Sequence, residues 1–445
     1  MLNSTRITRL HWMCAGAVGL LTLGASAGVN AQPVQEEIQG EALSRGPIHE
    51  AFAELYKLDP EPGVLVAKAP PEPIQELPPE QRLEGDDVQW IPGYWGWDDE
   101  SEDYIWISGL WRKLPPRRRW VPGYWAEAEG GFRWVSGFWS DENERELNYL
   151  PNPPASLEQG ANIAQDNDEQ FWAPGGWSRR DDDYYWRAGQ WSTAHDNWIW
   201  TPSRYVWTPH GCLHVNGYWD YRLPHRGVLY APIHFSRRHY PRTSYYTPRI
   251  AVDVGPLLIH LFARPNYCHY YFGDYYGDRY AGYGIHPWHN YYHGSRRYCS
   301  LLSYYDSHYR RRGIDFHHRI RYWNDQYHDH HELRPPRTYA AQADYQRRHG
   351  TNRLASQAVF GRTVEQLASR ENSTQRFRDL TSDDRKLAVQ STDQLRLLAK
   401  QRGSLKRTAA TVVAKEGSKA PAAAQTQLLK LPQVVGVRRA DYSRS

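Results

Sequence analysis

Cysteine is scarce in this 445-residue chain, with only four in all. Cys14 falls in an N-terminal apolar run, and beyond it stand only Cys212, Cys268 and Cys299. Three thiols allow one disulfide with one left over, which excludes a densely stapled scaffold, and their spacing does not suggest a zinc site. Cys268 with Cys299 is the preferred pair, because the two flank the same Tyr-rich block. Long apolar runs are also missing. After Trp12–Leu23 no stretch approaches the roughly 20 residues of a spanning helix, so no transmembrane segment is expected. An excess of one charge is missing as well: the net charge is +4, which gives no reason to expect nucleic acid or another polyanion as a partner for the whole chain. No nucleophile elbow, phosphate loop or dinucleotide fingerprint occurs. The sequence therefore nominates no catalytic residue, no cofactor and no bound metal, and the expectation is a protein that is not an enzyme.

What the chain has instead is tryptophan, 20 residues of it, with 32 tyrosines. The tryptophans are spaced. Trp-x-x-Gly-x-Trp occurs at Trp90-Gly93-Trp95, Trp106-Gly109-Trp111, Trp120-Gly123-Trp125, Trp134-Gly137-Trp139, Trp172-Gly175-Trp177 and Trp186-Gly189-Trp191, and a last copy reads His214-Val-Asn-Gly217-Tyr-Trp219. The step from Trp120 to Trp134, and from Trp172 through Trp186 and Trp200 to His214, is 14 residues. Such a period marks a repeated structural unit. Copies alternate between Pro and Ser or Ala before the glycine, so the unit is a hairpin of about 28 residues closed by a polar turn such as Asp98–Asp103. Two tryptophans five apart point to opposite faces of a regular strand. A bend or bulge at each glycine would return both rings to one face. The expected fold class is therefore mainly β: an antiparallel meander of Trp-rich hairpins, closed as a barrel or curled as an open sheet, with the rings as its core.

The remaining segments follow from composition. Residues 1–31 carry basic Arg6 and Arg9, the apolar run, and small residues at Ala25-Ser-Ala27 and Val29-Asn-Ala31, the pattern of a signal peptide; the protein is expected to be exported to a periplasm, an outer envelope or the medium. Residues 32–87 are rich in Pro and Glu and read as an extended lead-in with a short helix near His49–Leu58. The repeat domain covers 88–262, with further strands at Gly227–Ala231 and Ile250–Val254 and a loop insertion between Trp139 and Trp172. A Tyr-, His- and Arg-rich segment, 263–337, lacks periodicity and reads as irregular loops. Helices are expected in 338–403, near Thr338–His349, Thr363–Arg370 and Ser382–Arg402, and 404–445 reads as a disordered tail.

The paired copies, Trp-[Ile/Val]-Pro-Gly-Tyr-Trp with Tyr-x-Trp-[Ile/Val]-Ser-Gly-x-Trp, resemble the bacterial, exported WXXGXW (also written YXWGXW, BcpO-related) repeat proteins over roughly residues 88–220. Later stretches such as His269-Tyr-Tyr-Phe-Gly-Asp-Tyr-Tyr276 are similar to the large members of that group. The resemblance implies an envelope or secreted protein and transfers no catalytic residue.

Four ligand classes compete with plain packing. Exposed Trp or Tyr rings would stack on sugar faces, whereas their regular recurrence favours core packing. Carboxylates at Asp98–Asp103, Asp141–Glu144 and Asp181–Asp183 would offer oxygen ligands to Ca²⁺, yet none has calcium-loop spacing, and solvated turns are expected. Histidines at His286, His289 and His293, at His317–His318 and at His328, His330 and His331 would suit a transition metal, but no paired helical motif accompanies them. Arginines at Arg296–Arg297, Arg310–Arg312 and Arg319–Arg321 are interleaved with Tyr and would suit a polyanion, in an exported chain an acidic envelope polymer, but a solvated surface is expected. The expected function is thus a structural or interaction protein of the bacterial cell envelope, partnered by envelope polysaccharide or another envelope protein. Glycan binding through exposed Trp and Tyr, and metal binding through the histidines, are the alternatives.

Overall fold

Each pair of copies folds as one hairpin whose two arms are both broken at the glycine. In the computed structural model, which describes residues 36–236, 244–291, 297–369, 375–405 and 427–432, the first unit comprises strands Val88–Ile91, Tyr94–Asp98, Asp103–Ile107 and Leu110–Lys113. The inner two strands pair with each other, and so do the outer two, all antiparallel. The second unit (Arg118–Asp141), the third (Gln170–Thr193) and a fourth (Trp198–Tyr221) repeat the plan.

Register places the tryptophans directly opposite one another: Trp90 with Trp111, Trp95 with Trp106, Trp120 with Trp139, Trp125 with Trp134, Trp172 with Trp191, Trp177 with Trp186 and Trp200 with Trp219. Every pair meets at a ring-centroid distance between 5.1 and 5.5 Å, edge-on or tilted. That geometry adds about 0.5–1.5 kcal/mol per pair beyond area burial.

The fold is mainly β, as expected, but the units do not run on as a meander and close no barrel. Their free edges are covered by segments from far along the chain, because a 28-residue hairpin leaves unpaired backbone at both edges. Leu65–Val66 pairs with the second unit, Gly227–Val228 and Ile233–His234 with the first, and Glu146–Leu150 with the fourth. Gln427–Lys430, which fell in the expected disordered tail, pairs with Glu146–Leu150.

The described residues from 36 onward fall in one compact unit. The Pro/Glu-rich stretch is no peripheral lead-in. Ile48, Ala51 and Phe52 lie in the main core, and a turn replaces the helix expected near His49. The Tyr-rich segment is more regular than its composition suggests. Leu261–Arg264 and His269–Phe272 form a buried antiparallel pair, followed by helices Ser300–Arg310 and Phe316–Asp329. Downstream, helices form near the three expected positions: Thr338 caps Tyr339–His349, Thr363 caps Val364–Ala368, and Thr381 caps the long helix Ser382–Gly403. That helix packs on the first two units. Ser391 Oγ donates to the Trp90 carbonyl at 3.1 Å, and the Arg402 guanidinium donates to the carbonyl of Pro122.

The signal-peptide pattern in residues 1–31 lies outside the described residues, as does most of 404–445. No helix among the described residues is long and apolar enough to cross a membrane.

Candidate functional site

The glycine of each copy lies under the tryptophan of the opposite arm. A Cβ added at Gly123 would stand 2.4 Å from Cζ2 of Trp134, and one at Gly137 would stand 2.4 Å from Cζ2 of Trp120. Gly93 and Gly109, and Gly175 and Gly189, are overlaid by Trp106, Trp90, Trp186 and Trp172 in the same way, and Gly217 by Trp200. None of these glycines lies in the left-handed region. Their role is close approach of backbone and ring, not an unusual backbone conformation. The fourth unit supports this reading by exception. Where the crossing Trp is shortened to His214, the matching position carries a side chain, Ser203.

The crossing of the two arms also gathers hydrogen-bond donors. In the first unit the Glu76 carboxylate accepts from Gly93 N at 2.7 Å, Gly109 N at 2.9 Å and Trp106 Nε1 at 3.0 Å. In the second, Glu50 accepts from Trp134 Nε1 at 3.0 Å and Gly137 N at 2.9 Å. In the third, Glu158 accepts from Trp172 Nε1 at 3.0 Å and from Gly175 N. Each of these three repeat crossings is therefore pinned by one glutamate from outside the unit. Sequence reasoning missed all three. The signal present was a glutamate with no Lys or Arg within four residues on either side, as in Gly46-Pro-Ile-His-Glu50-Ala-Phe-Ala-Glu54.

Burial pushes the Glu50 carboxyl up to about 8, against the pull of its Trp134 and Gly137 donors. Glu76 is pushed up to about 6 by the same cause, opposed by Gly109, Gly93 and Trp106. A carboxyl with a raised folded-state pKa holds a proton that the unfolded chain has released, so its stabilisation is complete below the ordinary value of 4.5 and is lost as pH rises toward 8. Relative to Glu50→Gln, the wild-type protein should lose about 3 kcal/mol between pH 5 and 7.5, at about 1.4 kcal/mol per pH unit. Urea unfolding of both proteins at the two pH values measures this, and parallel pH dependences would refute it.

The units differ in what they show to solvent. Trp90, Trp95, Trp106, Trp111, Trp120, Trp134 and Trp139 are buried, and Trp125 is half-buried. Trp172, Trp177, Trp186 and Trp191 of the third unit are only half-buried and belong to none of the main core clusters. Trp219 in the fourth is also half-buried. Beside the third unit, an open cleft of about 470 Å³ is lined by Arg179, Arg180, Asp181, Asp182, Tyr185, Tyr205 and His214.

The other candidate clusters mostly serve the fold. Asp98–Asp103 is not a plain solvated turn: Glu100 takes ion pairs from Arg45, Arg279 and Arg337, and Asp99 meets the buried Arg264 at 2.5 Å. Asp181–Asp183 is exposed. The histidines are dispersed. His49, His260 and His269 are buried, each with its pKa lowered to about 3 by burial, and each contacts a backbone carbonyl, of Pro92, Gln357 and Tyr267 respectively. His289 is buried as well, His328 reaches the Tyr276 carbonyl, and His293 lies outside the described residues. Among the described residues no three His, Cys, Asp or Glu side chains gather as a metal ion would require. Arg310 and Arg311 pair with Asp306 and Asp196, while Arg296 lies outside the described residues. The preferred disulfide is absent, and all three cysteines are free. Cys268 ends a helical turn with its thiol toward the Pro265 carbonyl, whereas Cys299 caps helix Ser300–Arg310 and meets the Tyr270 hydroxyl at 3.1 Å.

Bent hairpins with crossed Trp–Gly contacts define a repeat protein of the tryptophan-rich β class. The family model described as WXXGXW repeat (2 copies) matches residues 85–112, 119–139 and 170–192, which makes the chain a WXXGXW repeat protein. The fourth unit lies beyond the matched residues, in keeping with its Ser203 and His214. No curated protein and no solved structure matches the chain.

Proposed function

We propose that this chain is an exported, non-enzymatic structural or interaction protein of a bacterial cell envelope. The observation that carries the reading is where the recurring residues go. In the first two units the repeat tryptophans and glycines are used in packing the core, while the third unit presents half-buried rings outward. Export rests on the basic, apolar and small-residue order of residues 1–31. Expressed in a bacterium with its own N-terminus, the protein should be recovered from the envelope or periplasmic fraction with a mature end after Ala27 or Ala31, read by N-terminal sequencing. An intact Met1 on protein held in the cytosol would overturn export.

A second reading, glycan binding, is favoured by the same third unit. Tyr185 stands 41% exposed beside half-buried tryptophans. Aromatic faces left in water on an otherwise packed β protein mark a contact surface.

A further inference from the structure

We propose that the cleft between the third and fourth units binds a neutral saccharide, with Tyr185 as its stacking platform; this rests on the glycan-binding reading above. Three observations converge there. The first is size and shape: an open cleft of about 470 Å³ lies within the roughly 300–1,000 Å³ of small-ligand sites.

The second is unmet hydrogen bonding. Tyr205 is 6% exposed and its hydroxyl has no hydrogen-bond partner among the described residues; His214 Nε2 and Arg179 Nε are likewise buried and unpaired. All three residues line the cleft. A buried polar atom without a partner costs about 1–3 kcal/mol, a cost that a ligand hydroxyl would remove. Burial lowers the His214 pKa, so the ring is neutral at physiological pH and offers both a donor and an acceptor.

The third is charge. Two arginines, Arg179 and Arg180, and two aspartates, Asp181 and Asp182, line the cleft together. Arg179 pairs with Asp182 at 2.7 Å, and Arg180 lies over the Tyr185 ring at 5.3 Å. Asp181 and Asp182 sit in the left-handed region at φ 47° and 71°, which forms the tight hairpin turn at this edge of the cleft. A polyanion would meet the aspartates and a polycation the arginines. A sugar hydroxyl both donates and accepts, so it satisfies either sign, while the C–H face of the ring stacks on Tyr185.

The test uses the full chain titrated with maltotriose, cellotriose and chitotriose, with trigalacturonate as the charged comparator, followed by calorimetry and saturation-transfer NMR. At least one neutral trisaccharide should bind with a Kd of about 1 mM or tighter. Tyr185→Ala should weaken it at least about tenfold, the loss of one stacking contact, without moving the thermal midpoint. Three results would each overturn the proposal: no binding of any neutral probe at about 10 mM, unchanged affinity in Tyr185→Ala, or tighter binding of trigalacturonate. None of these bears on export or envelope residence, which the N-terminal sequencing decides separately.

Discussion

Trp106→Ala should remove about 4–5 kcal/mol of stability, whereas Trp186→Ala, at the equivalent position of the third unit, should remove about 1–2 kcal/mol. Trp106 is 0% exposed and meets Trp95 at 5.2 Å. Its indole N–H is one of three donors on Glu76. Truncation therefore leaves a large cavity, which costs about 3–5 kcal/mol for a buried Trp, and it takes a partner from a buried carboxylate. Trp186 meets Trp177 at the same 5.2 Å but is half-buried and is not a partner of Glu158, so water fills much of the space it leaves. Urea unfolding of the two variants gives the difference directly. Equal losses would mean that the units contribute alike, and a stable Trp106→Ala would refute core packing as the purpose of the repeat.

Gly123→Val should prevent stable folding or cost at least about 4 kcal/mol, while Asp183→Ala should stay within about 0.5 kcal/mol of wild type. The new side chain would start 2.4 Å from the Trp134 ring, 2.8 Å from the Val135 carbonyl and 2.9 Å from the Gly137 amide. Two of those three neighbours are backbone, so relief means unbending the crossing and freeing Glu50. Asp183, exposed and outside the left-handed turn positions, is the right surface control. Asp99, which sequence alone places in an open turn, instead balances the buried Arg264 guanidinium, and its removal would leave a buried charge unpaired. Circular dichroism melts compare the two variants, and matching midpoints would count against glycine as the seat of the crossing ring.

The legible parts of this fold are local. A Trp-x-x-Gly-x-Trp repeated at 14 residues announces bent β hairpins because strand geometry and turn length fix that period. The helix Ser382–Gly403 is legible because its end signals, Ser382-Asp-Asp384 at the start and Gly403 at the close, are local in sequence. The Tyr-rich segment hid helix Ser300–Arg310 because the face it buries is made of Tyr304, Tyr305 and Ser307 beside Leu301 and Leu302, and side chains that carry hydroxyls do not read as an apolar stripe. The glutamate pins were illegible for another reason. Glu76 lies 17 and 33 residues from the glycines it bonds, and Glu50 lies 87 from its own, and nothing in a hairpin's sequence says which distant carboxylate will reach it. The cleft is similar: Asp181 and Asp182 stood out as a charged turn, but Tyr205 and His214 became its companions only through the pairing of the fourth unit.

Because the crossings of the three matched units are each completed by a glutamate that the hairpin does not encode, such a unit is not a self-sufficient module. Duplicating a hairpin duplicates the demand for a carboxylate without duplicating its supply. The number of ordered units in a chain of this kind is thus set by the segments outside them, and it is there, in the plain stretches around Glu50, Glu76 and Glu158, that an insertion or deletion would disarm a repeat whose own sequence is untouched.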